Sequence, residues 1–348
     1  MRLQETLKSA TVLITSVVLS LGLTEAGLTL LVRQGALLDQ RSDAYWIALS
    51  LSNGESATAA RGSDTVLDEA LGWRMKPMLE RDGTRHNSLG FRGGTEHAER
   101  GTGPRILTIG DSFTYGLGVR DEETFAAQLG KLTKAEVINA GVNAYGVDQA
   151  LLMWEQDGRR FKPEVVVLGY YVDDFYRNLL AVRDKPKPRF TFNPEIRKFD
   201  LQTTATSRDY ADKLRQELGT SGQWRTHQAA AWLGRKLLGK LGWVDGAMEA
   251  GASLSEFLLR QLNDSVTRSG AKLIVVFIGH RFDKSTEHSW IEDSVAQSCR
   301  SLAVSCVNLA AAMRDGNASL FYGPNSHYSV EGHRFAADQI AQAIGPLP

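Results

Sequence analysis

RILTIGDSFTYG, residues Arg105–Gly116, is the stretch on which the fold turns. Arg105–Gly110 is a short apolar run bounded by turn residues, which reads as a strand buried on both faces, and it enters Asp111-Ser112 without a linker. Four more runs of this kind follow, at Glu136–Ala140 (EVINA), Glu164–Tyr170 (EVVVLGY), Lys272–Gly279 (KLIVVFIG) and Ala303–Leu309 (AVSCVNL). Helical patterns near 122–133, 147–159, 253–269, 291–302 and 330–344 alternate with them. The alternation predicts an α/β fold, a three-layer, doubly wound parallel sheet with helices on both faces and ligands at the carboxyl ends of its strands. Ser112 then sits on a strand-to-helix turn, where its hydroxyl reaches the sheet edge and nearby backbone N–H groups converge on a point able to hold an oxyanion. Gly, Asp and Ser are also ordinary turn and N-cap residues, so the tripeptide alone describes an anion-binding turn in a generic binding domain as well.

Composition excludes several classes of function. Of the 348 residues 43% are hydrophobic and 23% charged, enough for one large core with a small appendage. Lys+Arg and Asp+Glu balance at 40 each, which removes the electrostatic footprint of a nucleic-acid partner. There is no C-x-x-C, no H-E-x-x-H and no Gly-rich phosphate loop, so neither a metal nor a nucleotide cofactor is implied.

The first 33 residues read as a membrane anchor. Ala10–Val32 is a 23-residue stretch with one charge, long enough as a helix to cross a hydrocarbon layer of about 30 Å. Arg2 and Lys8 precede it, which predicts an N-terminus in the cytoplasm and the remainder outside. Glu25 counts against burial, at a cost of roughly 2.5–3.5 kcal/mol if it lay at the bilayer centre. The alternative is a signal peptide with its apolar region at Val12–Leu23 and cleavage after Ala26, giving a secreted protein. Residues 34–69 read as a linker, and the main domain as 70–348 with an insertion over about 175–252. That insertion holds a Pro-rich loop at Lys185-Pro186-Lys187-Pro188 and the stretch WRTHQAAAWLGRKLLGKLGW, a basic amphipathic pattern that fits either a lid over the core or a helix on a membrane surface. Cys299 and Cys306 are the only cysteines; they read either as a small-loop disulfide of an exported protein or as two small buried hydrophobes.

Four separated segments, in order, resemble the blocks of the SGNH (GDSL-type) hydrolase superfamily, and of its membrane-anchored bacterial members in particular. They are Gly110-Asp111-Ser112-Phe113-Thr114-Tyr115-Gly116, Asn139-Ala140-Gly141-Val142, Asp173-Asp174, and Asn325-Ser326-His327 with the downstream Glu331-Gly332-His333. The upstream Asn87-Ser88-Leu89-Gly90-Phe91-Arg92-Gly93 is also similar to a segment that precedes the nucleophile in those members. The resemblance spans about residues 70–345 and implies a flavodoxin-like sheet. It implies Ser112 as nucleophile and His327, in preference to His333, as general base and then acid. It also implies an orienting acceptor at Asn325, and an oxyanion hole from the Ser112 N–H, the Ala144 N–H and the Asp173 position.

Three of these positions depart from the family pattern. Asn325 stands where an Asp is usual; its amide oxygen can accept from the imidazole but carries no charge, and in serine proteases an Asp→Asn change at the orienting position lowers turnover about 10⁴-fold. Asp173 replaces an Asn whose amide donates to the oxyanion, and loss of one such donor costs roughly 2.7–4 kcal/mol. Ala144 stands where Gly is usual, which matters if the turn needs positive φ. Two functions follow. One is an extracytoplasmic serine esterase or O-acyltransferase acting on ester-linked acyl groups of a small molecule or a cell-envelope glycan. The other is a degenerate domain of the same fold that binds a glycan or a partner protein.

Overall fold

Ile106, Leu107 and Ile109 are fully buried, because β1 (Arg105–Ile109) lies between other strands and between helices. The computed structural model describes residues 41–52, 64–219, 246–280, 286–314 and 326–347, with isolated positions elsewhere. All five expected strands form: β2 (Glu136–Asn139), β3 (Val165–Tyr171), β4 (Lys272–Ile278) and β5 (Ser305–Asn308) join β1 in one parallel sheet of order β5-β4-β3-β1-β2. Every residue of the central β3 is buried, whereas the edge strand β5 has none buried. That gradient explains why β3 is an unbroken apolar run.

The strand order reverses between β1 and β3, so the turns that follow these two neighbours open on one crevice at the carboxyl edge. α1 (Ser112–Tyr115) follows β1 and α2 (Phe125–Thr133) comes next, while α3 (Val147–Met153) follows β2. α4 (Asp174–Arg177) follows β3, and α5 (Gly246–Arg268) leads into β4. α6 (Thr286–Ser301), α7 (Leu309–Arg314) and α8 (Val330–Ile344) follow, with α2 packed on α8 and α5 packed on both α3 and α6, and a further helix, Thr204–Gly219, lies in the insertion. The two helix groups hold the sheet between them and bury its apolar residues in one core.

Several boundaries differ from the sequence reading. The chain forms two compact units, Met1–Ala60 with Asp209–Trp243, and Arg61–Arg208 with Val244–Pro348; the strand-and-helix framework above belongs to the second. The stretch read as a linker over 34–69 contains a helix, Asp43–Ser52, and ends in a strand, Thr65–Asp68, paired antiparallel with Gly72–Met75. The pattern expected as one helix over 147–159 is helical to Met153 and then widens into a π-turn at Trp154–Gly158 and a 3₁₀ turn at Arg159–Phe161. Within the insertion, Arg189–Asn193 and Lys198–Gln202 form an antiparallel hairpin that the reading of loop and helix did not include. Phe190 and Phe199 from it pack on Phe257 of α5 at ring-centroid distances of 5.6 and 4.7 Å, a contact between segments distant in sequence that a local pattern does not reveal.

The WRTHQAAAWLGRKLLGKLGW stretch, 224–243, lies outside the described residues. So does almost all of Ala10–Val32, and among the described residues no helix is long and apolar enough to cross a membrane. The two cysteines are not joined: Cys299 is a buried thiol and Cys306 an exposed one, and together with Arg300 they line a cavity of about 300 Å³ beside β5.

Candidate active site

The turn after β1 is built by its own residues. Gly110 has φ 145°, and a Cβ there would meet Thr114 Oγ1 at 2.5 Å and the Gly169 carbonyl of β3 at 2.6 Å, so only glycine lets the chain turn beside its neighbour. Asp111 caps α1, its Oδ1 accepting from the Phe113 N–H at 2.9 Å, and Gly116 ends the helix in the left-handed region at φ 85°. Asn139, the last residue of β2, closes the other end by donating from Nδ2 to the Thr114 carbonyl at 3.1 Å. Arg92 donates to the Gly116 carbonyl at 2.7 Å and is itself held by Asp121 at 2.8 Å. Thus the resembling segments around Asn87–Gly93 and Asn139 serve as supports of α1.

This turn holds Ser112 with 6% of its surface exposed, and His327 Nε2 lies 2.8 Å from Ser112 Oγ. For Nε2 to accept the hydroxyl proton, the imidazole must carry its own on Nδ1. The imidazole packs on the face of Phe113, centroids 4.8 Å apart and planes inclined at 31°, and Phe113 in turn stacks on Tyr171 at 4.7 Å. Asn325, expected to orient the histidine, lies outside the described residues.

The structure separates the two remaining oxyanion positions. Ala144 is buried at φ 67°, the left-handed conformation for which glycine is suited. Among the described residues neither the Ser112 nor the Ala144 backbone N–H donates a hydrogen bond, so both can serve an incoming oxygen. The loop carrying Ala144 is fixed by Val142 N–H to the Gly110 carbonyl at 3.0 Å, by Trp73 Nε1–H to the Asn143 carbonyl at 3.0 Å, and by Tyr145 O–H to the Trp73 carbonyl. Asp173 stands at the end of β3, half-buried, and its carboxylate makes no hydrogen bond among the described residues.

A buried ion cluster behind the turn was not legible in the sequence. Arg177 Nη1 donates to Asp111 Oδ2 at 2.9 Å, to Asp174 Oδ1 at 2.8 Å and to the Tyr145 carbonyl at 3.1 Å. Burial, then the Asp111 carboxylate, push the Asp174 carboxyl well above its usual range. Burial opposes the charge of Arg177, but the Asp174 and Asp111 carboxylates outweigh it and hold the guanidinium more firmly protonated than usual. The only sequence signal was the three-residue spacing of Asp174 and Arg177 on a helix.

His333 is structural. It is 1% exposed, its Nδ1 accepts from the Phe125 N–H at 3.1 Å, and burial, then the charges of Arg92 and His327, lower its pKa to about 3. Among the described residues no cluster of three His, Cys, Asp or Glu side chains could hold a metal ion.

No family model matches the chain, and no curated protein does. Among solved structures the chain is similar to TesA, with 12% identity over 70% of this chain and 99% of that chain and a TM-score of 0.43. It is similar to LAE5, an α/β hydrolase enzyme from the metagenome of Lake Arreo, Spain, with 14% identity over 71% of this chain and 97% of that chain and a TM-score of 0.42. A third is Axe2, an acetylxylan esterase from Geobacillus stearothermophilus, with 16% identity over 71% of this chain and 97% of that chain and a TM-score of 0.42.

Proposed function

We propose that the protein is a serine esterase or O-acyltransferase of SGNH type, acting on ester-linked acyl groups of a small molecule or a cell-envelope glycan. The observation that carries this reading is the 2.8 Å contact between His327 Nε2 and Ser112 Oγ on the crevice edge of the sheet. His327 takes the Ser112 proton as Oγ attacks the ester carbonyl. The tetrahedral oxyanion accepts from the Ser112 and Ala144 N–H groups, neither of which has another partner among the described residues. Collapse breaks the ester C–O bond, His327 returns the proton to the leaving alcohol, and an acyl-Ser112 remains. Water or a sugar hydroxyl, deprotonated by the same histidine, then takes the acyl group. We also read Ala10–Val32 as a single-pass anchor that keeps this unit on the outer side of the cytoplasmic membrane, with release after signal cleavage as the alternative.

Asp173 favours the second reading, a degenerate domain that binds a glycan or a partner protein, because an ionised carboxylate repels a developing oxyanion. Activity decides between them. The full-length protein in mild detergent is expected to release nitrophenolate from acetyl or longer nitrophenyl esters, and Ser112→Ala to lower that rate by at least about 10³-fold. A rate unchanged by Ser112→Ala removes Ser112 from the mechanism, and no turnover by any variant leaves the binding reading.

A further inference from the structure

Acyl transfer at this edge needs three segments in register: the nucleophile turn after β1, the donor loop after β2 and the turn after β3. One nitrogen atom touches all three. Arg177 Nη1, on α4 after β3, bonds Asp111 Oδ2 at 2.9 Å, in the residue before the nucleophile. It also bonds the Tyr145 carbonyl at 3.1 Å, in the residue after Ala144. Its third acceptor, Asp174 Oδ1 at 2.8 Å, anchors it to its own helix. Asp111 in turn holds the Phe113 N–H and so the first turn of α1. The guanidinium also covers the Tyr171 ring at 5.3 Å; Tyr171 stacks on Phe113 at 4.7 Å and Phe113 on His327 at 4.8 Å. A continuous set of contacts therefore runs from Arg177 to nucleophile, donor loop and base.

The charges point the same way. Asp111 is fully buried one residue from Ser112, and alone its carboxylate would oppose a negative charge growing on the substrate oxygen. Arg177, with 10% of its side chain exposed, offsets that charge at hydrogen-bond distance. We infer that Arg177 is the positioning residue of the site, setting the spacing between the Ser112 hydroxyl and the Ala144 N–H while neutralising Asp111. The inference rests on the acyl-transfer reading above. A positioning residue of this kind acts on the transition state and leaves ester binding alone.

The test uses the full-length protein, nitrophenyl acetate for kcat and KM, and a fluorophosphonate, which phosphonylates an activated serine without needing the natural substrate. Arg177→Met, close in length but without charge or donors, is expected to lower both kcat and the phosphonylation rate at least hundredfold with KM changed less than threefold. Arg177→Lys, which keeps a charge and three donors, is expected to recover at least tenfold of that loss. Should Arg177→Met not fold, the Asp111→Asn/Arg177→Met pair removes the carboxylate beside Ser112 and is expected to keep the part of the loss that belongs to positioning, a kcat and labelling rate at least tenfold below wild type. A folded variant whose kcat and labelling stay within threefold of wild type overturns the inference alone, as does a fall in kcat/KM that lies wholly in KM. Wild-type protein that takes no label removes the nucleophile reading, and this inference with it.

Discussion

His333 and His327 lie six positions apart in one segment, yet His327 meets the Ser112 hydroxyl while His333 is buried against the Phe125 N–H. The unfolded-state pKa of histidine is about 6.5, and burial holds His333 at about 3 in the fold. The folded protein therefore refuses a proton that the unfolded chain accepts, so the stability owed to neutral His333 is complete above pH ~6.5 and is lost as pH falls toward 3, by up to about 1.4 kcal/mol per pH unit. Urea unfolding at pH 7 and pH 5 is expected to show this loss in wild type. His333→Asn, whose Oδ1 can still accept from Phe125 N–H, should flatten it, and an equal slope in the variant would place the proton elsewhere. Ala144 offers a second residue-scale test. Its φ of 67° costs an L-residue roughly 1–2 kcal/mol, of which glycine gives back ~0.4–1 through the freer unfolded chain. Ala144→Gly should raise the thermal midpoint by an amount corresponding to at most about 1.6 kcal/mol and keep the N–H donor, whereas a lowered midpoint would mean that the methyl group packs usefully.

Among elements, α3 depends on a segment far along the chain. Its N-cap is Gly146, which has no side chain to offer, and Asp148 in its first turn is fully buried with its Oδ1 accepting from the Gln149 N–H at 2.8 Å. The countercharge is Lys187 of the Pro-rich loop, whose Nζ pairs with Asp148 Oδ2 and is also fully buried. Burial raises the Asp148 pKa even with Lys187 beside it. Lys187→Met should cost about 3–5 kcal/mol at neutral pH, because it strands one charge in the interior. A buried carboxyl without its partner binds a proton more tightly than in the unfolded chain, so the variant should regain stability as pH falls toward ~4. Denaturant midpoints at pH 7 and pH 5 check both points, and a variant as stable as wild type at pH 7 would show that the pair is not what holds the loop to α3.

Over the whole molecule, the reversal in strand order brings Ser112, the Ala144 loop and Arg177 to one edge, while the proposed anchor would set which compartment that edge faces. If residues 34–348 lie outside the cytoplasmic membrane, protease added to intact spheroplasts should digest them. Digestion only after lysis would reverse the topology and remove the cell-envelope glycan as a substrate class.

The strands and the turn that carries Ser112 were legible because their cause is local. A strand buried on both faces must be apolar along its length, as β3 is, and a turn squeezed against β3 must carry glycine, as Gly110 does. The hairpin of the insertion escaped notice because its aromatic residues are satisfied by Phe257, on a helix elsewhere in the chain. What each ionisable group does was decided only by the tertiary structure. Ser112 and His327 are 215 residues apart, Asp111 and Arg177 66, Asp148 and Lys187 39. Proton affinity and hydrogen-bond pairing depend on distance through space and on burial, and a residue's own neighbours in sequence carry neither.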